Sequence, residues 1–282
     1  MRLSSAFSII RLRWAYRWVG EKLGFSTSQE QNSKPVDLLN EALHVDPRIA
    51  LRKALQEGDL ASLPALAKRM KELGNMNGFV AAAAALAAAG SEVGAELLLG
   101  QLYNTELDET ERHHLFGTLV NYYTLTDQEE SAIEPLRKAA EKYIAAGGNA
   151  EEKAFYLNQL GRLYFGARRI SEAYDFQKQA SALHPEEVAY AYNLALILKN
   201  ANKLAEAAQY ARRVVEMNST DPDHLSLAAE VLSRAGDFEA AQSAFEKLMA
   251  LDPGSATALA RENKGLRSLL VHSTNRALRD RD

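Results

Sequence analysis

The chain has 282 residues, 47% of them apolar and 25% charged, with only seven prolines, so it can bury a sizeable core and wholesale disorder is excluded. It contains no cysteine, which rules out disulfides, thiolate metal clusters, a cysteine nucleophile and a lipid-modified cysteine anchor. The net charge of −4 is unevenly spread: residues 1–24 carry five cations against Glu21, a balance of +4, which leaves −8 on the rest and argues against nucleic acid as the ligand of the body.

Residues 1–24 read as a basic, aromatic amphipathic helix. On a helical wheel Leu3, Phe7, Ile10, Trp14 and Trp18 fall within about 80° of one another, with Arg13 and Arg17 on one flank and Arg11 on the other. Tryptophans beside arginines suit the headgroup region of an anionic membrane, where rings sit at the boundary and cations meet lipid phosphate. The same arginines interrupt any apolar run long enough to span, and Ala6 to Ile10 is too short for a secretory signal core. A mitochondrial presequence, or a helix docked on the repeats or on a partner, are the competing readings. Residues 25–34, polar from Ser26 to Lys34, read as a flexible linker.

Residues 35–146 read as a lobe of helix pairs. With His44 as a first position, Leu51, the turn Gly58-Asp59, Leu63 and Met70 fall at the spacing of one pair. With Met76 as the next, Phe79, Ala83, Leu86, Gly90, Ala95, Leu99 and Leu102 repeat it around a small-residue helix, Ala81 to Ala89. A further pair lies around Phe116-Gly117, Val120 and Ile133-Leu136, with Pro135 expected to kink its second helix by removing the bond to the Ser131 carbonyl. About ten extra residues then interrupt the register, and Gly147-Gly148-Asn149 marks a loop or hinge over 147–150.

From 151 to 253 the pattern is regular. Pro185 and Pro253 are 68 residues apart, twice 34. With Ala154 as position 1, Leu157, Leu160, Gly161, Tyr164, Ala173, Ala180 and Pro185 occupy positions 4, 7, 8, 11, 20, 27 and 32. Ala191, Leu194, Ala195, Leu198, Ala207 and Val214 repeat the scheme, with Ser219 in place of proline, and Leu225, Ala228, Ala229, Leu232, Ala241, Phe245, Leu248 and Pro253 repeat it again. Positions 4, 8 and 11 share one helix face and positions 20, 24 and 27 share one face of the next. Gly161, Ala195 and Ala229, facing Ala173, Ala207 and Ala241, are small where the two helices of a pair approach. Gly236 is placed to end a helix in the left-handed conformation and Asp237 to cap the next. Residues 254–282 read as a capping helix, N-capped by Ser255 with Leu259, Leu266 and Leu270 inward and Arg261, Lys264 and Arg267 outward, followed by a charged tail.

This pattern resembles the tetratricopeptide repeat (TPR), a helix-turn-helix unit, with copies at about 154–187, 188–221 and 222–253. The resemblance implies an all-α solenoid of five to six helix pairs with a C-terminal cap. It also implies a groove, lined by the first helix of each pair, that takes a protein or peptide ligand. On the family's ligand-contacting positions stand Phe155, Asn158, Gln159, Arg162 and Phe165, then Tyr192, Asn193, Leu196 and Lys199, then Ser226, Glu230 and Arg234. Asn193 is at the position where related repeats bond a bound peptide's main chain. The family's clamp for a C-terminal carboxylate is not carried over, because of its five positions, here Asn158, Arg162, Asn193, Asp223 and Leu227, only Asn193 matches.

No phosphate-binding glycine loop is present, since Gly147-Gly148 leads into Asn149 rather than a lysine and a hydroxyl. His113 and His114 are adjacent, about 100° apart on a helix, and cannot share a metal as residues four apart would. The acid pairs Glu129-Glu130, Glu151-Glu152 and Glu186-Glu187 each open a helix, which its dipole favours. The expectation is a non-enzyme without cofactor, metal, small-molecule substrate or nucleic acid. It is a protein-binding scaffold or assembly factor, peripheral to the cytoplasmic face of a bacterial inner membrane or cytoplasmic. The alternatives are a soluble chaperone for an exported or membrane-inserting substrate, a regulatory subunit of an enzyme on another chain, and a mitochondrial location.

Overall fold

A computed structural model describes residues 46–104 and 107–267, and within them all regular structure is helical. Thirteen helices follow in order: α1 (Pro47–Glu57), α2 (Leu63–Glu72), α3 (Met76–Ala88), α4 (Glu92–Leu99), α5 (Glu109–Leu125), α6 (Glu129–Ala145), α7 (Ala150–Gly166), α8 (Ile170–Leu183), α9 (Val188–Asn200), α10 (Leu204–Glu216), α11 (Pro222–Ala235), α12 (Phe238–Leu251) and α13 (Pro253–Glu262). Consecutive helices pack as pairs, and the fold is the all-α, TPR-type solenoid that the sequence leads one to expect. The chain divides into two compact units, 1–141 and 142–282, with the boundary inside α6, a few residues before Gly147. The amphipathic segment 1–24, the linker 25–34 and the tail beyond residue 267, Leu270 included, lie outside the described residues.

In the first unit α3 is the central element, packed on α2, α4 and α5. Its alanines let three neighbours come close at once: Ala82, Ala83, Ala84 and Ala87 are all buried. Gly94 of α4 is pressed so tightly on α3 that a Cβ there would lie 2.4 Å from the Ala87 main-chain nitrogen. In α4 the buried leucine is Leu98, while Leu99 is half-buried, one residue off the sequence register. α5 opens with a reciprocal capping box, Asp108 accepting from the Glu111 amide and Glu111 from the Asp108 amide. Pro135 sits within α6, and its carbonyl accepts from the Tyr103 hydroxyl at 3.3 Å. Along α5 His114 is half-buried with its Nε2 shut off from solvent, and that desolvation pushes its pKa down from 6.5 to about 4.

In the second unit α7 with α8, α9 with α10, and α11 with α12 form the three pairs, joined by turns of common design. Each first helix ends in a residue at positive φ: Arg168 at 63°, Asn202 at 59° and Gly236 at 83°. Only glycine takes that conformation without strain, and asparagine tolerates it better than arginine. Asp237 then caps α12, accepting from the Ala240 amide, and is held below the usual carboxylate range by the Arg212 side chain bonded to it. His184 and Asp252, each preceding a proline, take extended φ near −140° and end α8 and α12. The pairs are tied to each other through exposed main chain. Arg213 of α10 donates to the Pro185 carbonyl at 2.6 Å, and Lys247 of α12 donates to the Val215 carbonyl and to Asn218 Oδ1, both at 2.9 Å. These contacts anchor each second helix to the turn region that follows the preceding one.

The cap differs from its expected form. Asp252, not Ser255, is its N-cap: the Asp252 carboxylate accepts from both the amide and the hydroxyl of Ser255. α13 stops at Glu262, because Asn263 turns to extended backbone, and the chain resumes helical turns at 264–267. Leu266 is nevertheless buried against α11 and α12, and Leu259 packs beside it.

Three outcomes are expected. Arg168→Gly should raise the melting temperature and Gly236→Ala lower it, each by an amount on the order of 1 kcal/mol, since the left-handed turn is relieved in one and strained in the other. Gly161→Leu and Ala229→Leu should each cost about 1–3 kcal/mol by overpacking, and melts unchanged by both would contradict the close pairing described. Between pH 6.5 and about 4 the unfolded chain protonates His114 while the folded protein does not, so stability should fall as the pH drops through that window. His114→Phe should flatten that slope in thermal melts followed by circular dichroism.

Candidate functional site

The first helices of the three pairs, α7, α9 and α11, share one face of the second unit, and cross-helix contacts join them directly. At its centre is a buried amide cluster. Gln177 Nε2, from α8, donates to Asn158 Oδ1 at 2.9 Å and to the Asn158 carbonyl at 3.3 Å, and Asn193 Nδ2 of α9 donates to the same Oδ1 at 2.8 Å. Gly161 makes room for this: a Cβ there would lie 2.8 Å from Gln177 Cγ. Gln177 Oε1 is buried and accepts no hydrogen bond from the described residues.

The N-terminal ends of the same helices form an aromatic edge. Phe155 meets Tyr156 edge-on, and the Tyr192 ring lies 4.4 Å from His224 of α11. His224 Nδ1 is 3.1 Å from Ser219 Oγ. Burial pulls the imidazole pKa below its ordinary value against the opposing pull of Asp221, Asp223 and Glu187, so at neutral pH the ring packs uncharged. The C-terminal ends carry charge. Lys199 Nζ reaches Glu230 Oε2 across the α9–α11 boundary at 2.8 Å, Arg234 reaches Glu230 Oε1 at 3.1 Å, and Arg162 donates to Gln159 Oε1 at 2.9 Å. Phe165, Leu196 and Ser226 are half-buried along these helices.

Of the residues expected from sequence, Asn158 and Asn193 thus meet across α7 and α9, Lys199 meets Glu230 across α9 and α11 with Arg234 of α11 on the same carboxylate, and Tyr192 meets His224. Asn158 and Gln159 are buried, so they serve as the floor beneath the face. The membrane-contacting set Leu3, Phe7, Ile10, Arg11, Arg13, Trp14, Arg17 and Trp18 lies outside the described residues. Two participants were not foreseen. Gln177, on a second helix rather than a first, is fully buried; it stands at position 24, where the next repeats have Ala211 and Phe245. A polar residue at that core position opposite a glycine was the available signal. His224 gave none, because its role depends on stacking across a repeat boundary.

Compared with known proteins, residues 188–221 and 225–255 match the family model for the tetratricopeptide repeat. Over those two segments the chain is similar to the tetratricopeptide repeat, and its helix pairs take that fold. No curated protein matches the sequence. Among solved structures the fold is similar to pilF of Pseudomonas aeruginosa, at 15% identity over 79% of this chain and 98% of that one with a TM-score of 0.54. A putative kinesin light chain from Podosopora anserina matches at 21% identity over 68% and 94% of the two chains with a TM-score of 0.43. YrrB, described as a tetratricopeptide-repeat protein with an unusual peptide-binding site, matches at 16% identity over 80% and 98% with a TM-score of 0.40. The fold is one used in general for non-catalytic binding of protein or peptide partners.

The amide cluster should behave as a unit. Asn158→Leu alone leaves the buried Gln177 amide only its longer bond to the residue 158 carbonyl and should cost about 1–3 kcal/mol. Asn158→Leu with Gln177→Leu should cost less than the sum of the two single changes, and strict additivity in denaturant melts would show that the amides are not coupled.

Proposed function

We propose that this protein is a non-catalytic scaffold or assembly factor that holds a partner peptide on the face of α7, α9 and α11, and that residues 1–24 tether it peripherally to the cytoplasmic face of a bacterial inner membrane. The observation that carries the first part is the Asn158–Gln177–Asn193 cluster. It holds Asn193 by one Nδ2 hydrogen, while its Oδ1 accepts no bond from the described residues and is left for a main-chain amide. Aromatic surface on one side and ion-paired side chains on the other give contact area and orientation. The tether rests on sequence alone: the aromatic stripe flanked by arginines is built for an anionic interface. Among the described residues no helix is long and apolar enough to cross a membrane.

Asn193→Ala and Tyr192→Ala should each weaken capture of the partner recovered with the wild-type protein, while Asn193→Ala leaves the melting temperature within about 0.5 kcal/mol of stability. A partner unaffected by either change would remove this face from consideration. For the tether, full-length protein should float with anionic vesicles, less so at high salt, and protein lacking residues 1–24 should not. Equal flotation of the two would sink the tether, and a mature N-terminus beyond residue 20 in native material would select the presequence instead.

A further inference from the structure

One edge of the face of α7, α9 and α11 is charged against the grain of the protein. The C-terminal edge has three cations, Arg162, Lys199 and Arg234, and one acid, Glu230, a balance of +2 in a chain of net charge −4. Lys199 and Arg234 arrive from neighbouring helices and each takes one oxygen of the same carboxylate, so that cluster retains a positive charge. Cations at helix C-termini complement the helix dipole, and that accounts for one per helix. It does not account for what stands across the amides from them: the opposite edge is aromatic, made of Phe155 and the Tyr192–His224 pair, and the charges nearest its imidazole are the carboxylates Asp221, Asp223 and Glu187. The face is therefore divided along its length into a cationic rail, an amide centre and an aromatic rail.

An extended chain laid over such a face turns successive side chains to opposite sides, with a repeat of two residues or about 6.6–6.8 Å. One set would meet the cations and the other the rings. We propose that the partner segment is an extended stretch in which carboxylate side chains alternate with apolar ones, its main chain on Asn193, its carboxylates on Lys199, Arg234 and Arg162 and its apolar side chains on Tyr192 and Phe155. A carboxylate added between Lys199 and Arg234 makes two acids for two cations, completing a charge-assisted set that Glu230 alone leaves short. The inference rests on reading this face as the one that binds the partner.

The test uses the full chain and four labelled, end-blocked octapeptides in fluorescence anisotropy: alternating glutamate and leucine, the same composition as a block of each, alternating glutamine and leucine, and alternating lysine and leucine. The alternating acidic peptide should bind roughly tenfold more tightly than each of the other three, with affinity falling severalfold as salt rises from about 0.05 to 0.5 M. Lys199→Gln with Arg234→Gln should abolish the preference for glutamate over glutamine, and Arg162→Gln should reduce it, with far-ultraviolet circular dichroism unchanged. Equal binding of the glutamate and glutamine peptides, both lost in Asn193→Ala, overturns the acidic partner and leaves the face standing. Glutamate-selective binding that ignores Asn193→Ala and all three cation changes overturns both. Equal binding of the alternating and block acidic peptides, or no binding of any peptide, overturns the inference.

Discussion

How closely two helices of a pair can approach governs everything else in the second unit. Gly161, Ala195 and Ala229 of the first helices and Ala173, Ala207 and Ala241 of the second are small and buried, and apolar residues on either side close over them. That approach sets the angle at which each first helix is presented. Side chains on neighbouring first helices then come within hydrogen-bonding or stacking distance of one another, as Asn158 does with Asn193 and Tyr192 with His224. The face is a product of the packing behind it. Gly161 shows the link most directly, because the space it leaves is filled by the Gln177 side chain that holds Asn158 from behind.

Residues that share a face divide their labour by depth. Asn158 and Gln177 are sunk beneath it and have their bonds made before any ligand arrives, which removes part of the ordering cost from binding. Asn193, Tyr192 and Leu196 are half-buried and can offer surface without being free to wander. Lys199, Glu230 and Arg234 constrain one another, and such mutual constraint fixes long side chains that would otherwise lose entropy on contact. Rigidity of this kind favours selectivity over reach.

The helix pairs were legible because spacing is a one-dimensional property: a 34-residue recurrence of small and apolar positions survives even where individual residues change, as Ser219 does for proline. Turn chemistry was legible at Gly236-Asp237 and hidden at Arg168, where a residue ill-suited to positive φ is held there by the helices on either side. The cap was misread in detail because Ser255 and Asp252 are both good N-caps and only the geometry decides; the aspartate wins and the serine bonds to it. The candidate face was half legible. Positions told which side chains line it, but not that Asn158 lies in the floor, that Gln177 reaches through from the second helix, or that His224 stacks on Tyr192. Those facts belong to contacts between repeats, which have no period in the sequence.

The bonds from Arg213 to the Pro185 carbonyl and from Lys247 to Val215 and Asn218 are joints of one pattern, each running from a repeat back to its predecessor. Each joint knows only its neighbour. In such a chain of like couplings each link opens against its neighbours alone, so disturbing one repeat is felt chiefly by the next. It also makes the repeat a module in the evolutionary sense: a whole unit can be spliced in or out, and the two ends that meet across the splice still carry a cation on one side and a helix end on the other.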